Sequence, residues 1–286
     1  MYTLCLKWRF FYMMIVNEDK CIGCKKCIYD CPTSTIIYNE RKKAYIENER
    51  CINCGHCIAI CPTAAVYSDS LDMSEVEPYN EEKFSVNPEN LLNFIKFRRS
   101  TRHFQDKPLE KETIERILQA GRYTESSTNS QDVSYIVVSE ELDKVSDQIY
   151  RVLKKKGEHI LANLSPETEH LKKYATLWTT MYDAYLDDKA KNDRLFFHAP
   201  AVVFVTAGQE INGALASATI ELMANACGVG CCYCGFALVA LNDQPELLKE
   251  LGVQEGKKII ACLVMGYPSV KYQRTVPRNP LSVLWK

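Results

Sequence analysis

No run in this 286-residue chain approaches eighteen apolar positions, so no segment reads as a membrane-spanning helix. An excess of charge of one sign is missing too. Lys and Arg number 35 against 36 Asp and Glu, for a formal net charge of −1. That balance gives no electrostatic case for a nucleic-acid partner, which calls for a basic face. Histidine is scarce, with five in all, and His56 and His103 each stand alone. Both read as structural or exposed rather than catalytic. No constellation of carboxylates or histidines reads as acid–base machinery, so no catalytic side chain is assigned. With 47% hydrophobic and 25% charged residues, the chain has the composition of a globular protein of one or two domains.

Cysteine is where the chain is rich, with fourteen residues. Eight of them fall in CIGCKKCIYDCP at Cys21–Pro32 and CINCGHCIAICP at Cys51–Pro62. Each segment is C-x2-C-x2-C-x3-C-P, and the second repeats the first at an offset of thirty residues. A disulfide framework would not repeat its spacing with a proline after each fourth cysteine, and zinc usually takes two separated pairs. The pattern is the bacterial ferredoxin signature for two [4Fe–4S] clusters. In two-cluster ferredoxins the fourth ligand comes from the other repeat. One cluster is thereby assigned to Cys21, Cys24, Cys27 and Cys61, the other to Cys51, Cys54, Cys57 and Cys31. Each oxidised cluster with its thiolates carries roughly −2, bringing the loaded protein to about −5. Oxygen-sensitive clusters argue for a reducing, cytoplasmic compartment.

Residues 1–13 read as a leader, an extension upstream of the translation start, too short in its apolar run for a secretory signal. Residues 14–67 form the ferredoxin domain. Strands are expected at Met14–Val16, Ile36–Tyr38, Ala44–Ile46 and Ala65–Tyr67, with short helices near Lys25–Asp30 and Gly55–Ile60. Residues 68–86 are acidic and polar and read as a linker. Residues 87–286 form the second domain. Asn87 is a candidate N-cap with Pro88 at the first helical position, ahead of an apolar face of Leu91, Leu92, Phe94 and Ile95. Ser165-Pro166 is expected to open a long helix reaching about Asp188. Ala201–Ala207 and Lys258–Gly266 read as strands. Leu215–Cys227 reads as an Ala-rich helix stopped by Gly228, and Gly230–Leu241 as helical. Interspersed strands and helices point to an α+β class.

Arg98, Arg99, Ser100 and Arg102 gather guanidinium forks and a hydroxyl at a helix end, a pattern that suits phosphate. Ser126–Gln131 offers hydroxyls and amides in a row. These motifs, with GVG at Gly228–Gly230, GYP at Gly266–Pro268 and Arg274 and Arg278 beyond, occur in the order seen in FMN-dependent nitroreductases, which the second domain resembles. The expected whole is a two-cluster ferredoxin domain followed by a nitroreductase-like α+β FMN domain.

The resemblance implies that Arg98, Arg99, Ser100 and Arg102 hold the ribityl phosphate and pyrimidine side of FMN. It implies that Ser126, Ser127 and Asn129 reach the flavin of a partner subunit in an intertwined homodimer. It gives Val229 and Gly230 the role of presenting backbone N–H groups to the ring, and returns Arg278 and Arg274 to the phosphate. Glu125 and Asp132 stand where the family commonly has proline. The implied function is a flavin oxidoreductase that passes electrons between the clusters and FMN to a nitroaromatic- or quinone-like acceptor. Its reductant is NAD(P)H or an external low-potential donor. A non-enzymatic electron carrier or redox sensor is the alternative, and reductive dehalogenation or flavin destruction another. Six cysteines lie outside the repeats: Cys5, Cys227, Cys231, Cys232, Cys234 and Cys262. They read as small packing residues rather than a third metal site.

Overall fold

A computed structural model describes residues 13–286. Apart from Met13, the leader expectation lies outside the described residues, as does Cys5. Two compact units emerge. The first includes the described residues up to Ser85 together with Ser127–Ser130, and the second is Val86–Ser126 with Gln131–Lys286.

In the first unit, β1 (Met14–Val16), α1 (Lys26–Asp30), β2 (Ile36–Tyr38), β3 (Ala44–Ile46), α2 (His56–Ala59) and β4 (Val66–Ser68) follow in order. Strand β1 pairs with β4 and β2 with β3, both antiparallel. A four-residue helix, α3 (Glu81–Phe84), lies in the expected linker, capped by the Asn80 side chain. The thirty-residue repeat is written into the backbone. Gly23 and Asn53 take φ of 66° and 53°, Lys25 and Gly55 take 62° and 74°, and Ser34 and Ala64 take 51° and 49°. Each pair is offset by thirty. Left-handed residues turn the chain sharply within each loop, which is how closely spaced cysteines come to face one space.

The second unit runs α4 (Pro88–Phe97), α5 (Lys111–Arg122), β5 (Ser134–Val138), α6 (Leu142–Ala162), α7 (Lys172–Asp187), α8 (Lys189–Asn192), β6 (Ala201–Ala207), α9 (Glu210–Ala226), β7 (Gly230–Tyr233), α10 (Gly235–Leu241), α11 (Pro245–Glu250) and β8 (Lys258–Gly266). The sheet order is β5-β6-β8-β7, antiparallel throughout. Helices cover both faces. Val202, Phe204 and Val264 join the core formed with α6, α7 and α10. Val203, Val205, Leu263 and Met265 join the core formed with α5 and α9. Burial on both faces explains why β6 is apolar at every position but Thr206.

Three expectations shift. Gly230–Tyr233 is strand, not helix, because these residues pair with β8 and leave only Gly235–Leu241 helical. The helix expected from Ser165 starts at Lys172, after a tight turn at Glu169–Leu171. The apolar face of α4 is not core, since Leu91, Leu92 and Ile95 are all exposed. Asn87 does cap α4, its side chain accepting from Asn90 N–H.

A bulge between Val205 and Thr206 in the β6–β8 pairing skips one residue, so Thr206 faces Ile259 while Val205 faces Ala261. Parity along β8 therefore flips, and Ile259 joins the α6 side although Ala261 and Leu263 belong to the α9 side. The skipped Ile260 meets Gly213 of α9, where an added Cβ would lie 2.6 Å from the Ile260 side chain. Gly213→Ala should lower stability by about 1–3 kcal/mol despite alanine's better helix propensity. Urea unfolding checks this, and Ile260→Ala in the same chain should recover part of the loss.

Candidate functional site

Four cysteines line each of two cavities in the first unit. Cys21, Cys24 and Cys27 share one with Cys61, in a space of about 390 Å³ counting its open part. Cys51, Cys54 and Cys57 share the other with Cys31, in about 320 Å³. Each ring thus takes three sulfurs from one loop and one from beyond the other. Among the described residues, no three His, Cys, Asp or Glu side chains converge as they would on a single ion. The sulfurs stand back around a volume, which suits a polynuclear group.

The rings are charged against themselves. Burial, then the neighbouring Cys51, Cys54 and Cys27, push the Cys57 thiol up to about 12. Cys27 is raised by burial and by Cys21, Cys24 and Cys61. A bound cation would favour these sulfurs as thiolates together. Donors already aim at the sulfurs: Ala65 N–H at Cys61 Sγ (3.2 Å) and Asn53 N–H at Cys51 Sγ (3.4 Å). Thr35 Oγ1 lies 3.4 Å from Cys31 Sγ. The residues present fit two iron–sulfur clusters.

In the second unit, a cleft of about 740 Å³, open to solvent, is lined by Arg98, Arg99, Val229 and Gly230, with Thr101, Asn225 and Tyr272. It forms where α4 runs into an extended stretch that joins the edge of the sheet, Thr101 N–H donating to Cys231 O at 2.9 Å. The Nε atoms of both Arg98 and Arg99 are buried without a partner. Arg98 Nη1 bonds Glu221 Oε1 at 2.7 Å. Glu221 is buried on α9. Burial raises its pKa and the Arg98 charge works against that rise. Arg99 has no carboxylate partner among the described residues and donates to Lys96 O. Unpartnered guanidinium donors beside an open cleft fit an anionic group such as a phosphate.

Other expected residues stand differently. The Val229 N–H is committed to Ala224 O (2.8 Å) and that of Gly228 to Asn225 O (3.1 Å), closing a Schellman turn around Gly228 at φ 73°. Val229 therefore has no free backbone donor for a ring edge. Gly230 is required by packing, since a Cβ there would lie 2.8 Å from Thr101. Ser100 sits beside the cleft, its carbonyl accepting from Tyr272 O–H at 3.3 Å. Arg102 points elsewhere, 5.9 Å from the Phe197 ring centroid. Arg274 and Arg278 are exposed in the C-terminal stretch and do not line the cleft. Ser126 Oγ accepts from Gln131 N–H. Ser127 and Asn129 group with the first unit, where Asn129 Nδ2 donates to the carbonyls of Ile52 and Asn53, both at 3.0 Å. Asp132 organises the start of α9, its Oδ2 accepting from Gly208 N–H and Gln209 N–H.

Comparison with known families bears on both units. The 4Fe-4S dicluster domain matches residues 13–62, and the nitroreductase family matches residues 95–267. The chain belongs to the nitroreductase family. Solved nitroreductases and their kin share the fold. A nitroreductase with bound FMN from Bacteroides fragilis is 23% identical, covers 70% of this chain and 100% of its own, and gives a TM-score of 0.52. An FMN-dependent nitroreductase from Clostridium difficile R20291 is 18% identical, with the same coverages and a TM-score of 0.50. A BluB-like flavoprotein from Clostridium difficile 630 is 20% identical, covers 66% of this chain and 94% of its own, and also scores 0.50. No curated protein sequence matches the chain. Within this member of the nitroreductase family, the residue that sequence reasoning missed is Glu221. Its signal was a carboxylate amid the apolar turns of an Ala-rich helix, a position where a charge needs a partner.

Replacing Arg98 with Met leaves that carboxylate buried and alone. The loss should be about 1–3 kcal/mol, below the range for fully buried pairs because Arg98 is partly exposed. A carboxyl whose folded-state pKa is raised favours the folded state in acid and loses that contribution as pH rises through the folded value. Without Arg98 the rise is larger, so the deficit of the variant should be greatest at pH 8 and shrink towards pH 5, as read by urea unfolding.

Proposed function

We propose that this chain is an FMN-dependent oxidoreductase carrying a two-cluster electron relay, which reduces a small organic acceptor of nitroaromatic or quinone type. The observation that carries the reading is two four-cysteine rings on a chain whose second unit has the nitroreductase fold. Bound iron–sulfur clusters supply single-electron transfer, and bound flavin supplies exchange of either single electrons or hydride. Everything else falls to the protein's own groups.

Cys21, Cys24, Cys27 and Cys61 hold one cluster, and Cys51, Cys54, Cys57 and Cys31 the other. Ile28, Ile58 and Ile60 pack on the cysteine core and limit water around it. In the cleft, Arg99 takes the phosphate, because its charge is not already neutralised. Arg98 is held in place by Glu221 and lends the second guanidinium. No side chain is assigned as a proton donor. The exposed Leu91, Leu92 and Ile95 on α4, with Trp285 near the C-terminus, support assembly as a homodimer that covers them. The thiolate-rich first unit suits a reducing, cytoplasmic setting.

Two measurements test this reading. Protein purified without oxygen and reconstituted should hold about eight irons per chain and one FMN. Cys61→Ser should perturb the EPR signal of the same cluster as Cys24→Ser, and Cys31→Ser that of the same cluster as Cys54→Ser. Fewer than about six irons, or no flavin, rejects the proposal. Arg99→Ala should weaken FMN about 10- to 100-fold, the worth of a charge-assisted hydrogen bond, and riboflavin far less. Equal losses for both ligands would remove Arg99 from the phosphate site.

A further inference from the structure

The two cysteine loops are near copies in backbone but differ in charge. Between residues 13 and 85 there are eight Lys and Arg against twelve Asp and Glu, so the first unit is acidic before any cluster is bound. Yet six of those eight cations crowd the first loop: Lys20, Lys25, Lys26, Arg41, Lys42 and Lys43. Arg41 is paired with Glu18 at 3.0 Å. The five lysines have no carboxylate partner among the described residues. They are gathered by contact as well as by sequence. Lys25 and Lys26 line the first cavity. Lys43 Nζ donates to the Cys21 carbonyl, and the Lys42 carbonyl abuts Gly23.

The second loop serves as an internal control. Thirty residues on, Lys20, Lys25 and Lys26 become Arg50, Gly55 and His56. Arg50 is paired with Glu47, and His56 lies 3.3 Å from Asp30. Two rings of four thiolates carry the same charge, so lysines needed only to neutralise a cluster should flank both. They flank one. That loop is also the more open. Cys24 is the exposed cysteine among the described residues, and Ile22 and Tyr29 are 65% and 84% exposed. An apolar centre in a charged rim is the anatomy of a transient protein contact, and rim charge acts chiefly on the rate of encounter.

We propose that the first cysteine loop is the docking face for an acidic one-electron carrier protein, seated over Ile22 and Tyr29 and steered by Lys20, Lys25, Lys26, Lys42 and Lys43. The proposal rests on the reading that this loop holds a cluster, and it names the donor and the point of entry. In the step the carrier loses one electron and the group held by Cys21, Cys24, Cys27 and Cys61 gains one. No bond or proton changes hands. Steering suits a small carrier because lysines without a neutralising carboxylate act over about one Debye length, roughly 8 Å at physiological salt.

The test is anaerobic stopped-flow reduction of the reconstituted full chain, read as bleaching of cluster absorbance. The donors are a reduced acidic bacterial ferredoxin, a photoreduced neutral deazaflavin, and NADH. With ferredoxin, the second-order rate should fall about tenfold or more from 0.05 to 0.5 M salt. Lys25→Glu with Lys26→Glu should slow ferredoxin at low salt by a similar factor and flatten the salt dependence. Lys42→Glu, away from the cysteines in sequence, should do the same to a smaller degree. For Lys42→Glu, which does not line the cysteine cavity, the deazaflavin rate should not change. Ferredoxin rates indifferent to salt and to both variants overturn the proposal. So does equal slowing with deazaflavin, which would make the lysines tuners of the cluster, or faster reduction by NADH than by ferredoxin. A chain that holds no iron shows no bleaching with any donor, which is failure of the underlying reading and is told apart by that.

Discussion

Each sulfur ring of the first unit is completed from across the repeat, and the rest of that unit follows from this sharing. A loop with cysteines at three-residue spacing can turn three sulfurs into one space, but only by passing through left-handed backbone at Gly23 and Lys25, or at Asn53 and Gly55. The fourth sulfur of each ring must then arrive from the far end of the other copy. Strands β1 to β4 and their small core of Met14, Ile36, Ile46 and Val66 hold the loops in register. That core is slight for so many crowded thiols. Bound clusters would add to that cohesion, in line with the general coupling of metal binding to folding.

The second unit depends on a different constraint, a sheet buried on both faces. Strand β6 is buried along its whole length, so its neighbours divide their side chains between two helical layers. The bulge opposite Val205 and the glycines at 213 and 230 are local adjustments to that demand. Gly230 illustrates how one residue can carry two readings. Sequence likeness gave it to a ligand, whereas the space beside it is filled by Thr101.

Much of this was legible beforehand because it was periodic or punctuated. The cysteine spacing specified both rings, and the Asn87-Pro88 cap and the Gly228 stop stand where the sequence put them. What escaped was non-local. Strand β7 looked helical because Cys231 and Cys232 carry little intrinsic preference, and only pairing with β8 makes them extended. The partner of Arg98 is 123 residues away in sequence, a separation no local pattern reports. Nor does any local pattern announce that Asn129 donates to the carbonyls of Ile52 and Asn53.

Crossed sharing also bears on how the molecule is made. Residues leave the ribosome in order, so of the eight repeat cysteines Cys21, Cys24 and Cys27 emerge first and still lack a companion until Cys61 appears. The ring begun by Cys31 has all its members once Cys57 is out, four residues sooner. The earliest of the repeat cysteines therefore belong to the ring that is finished last, and must be kept reduced through the interval.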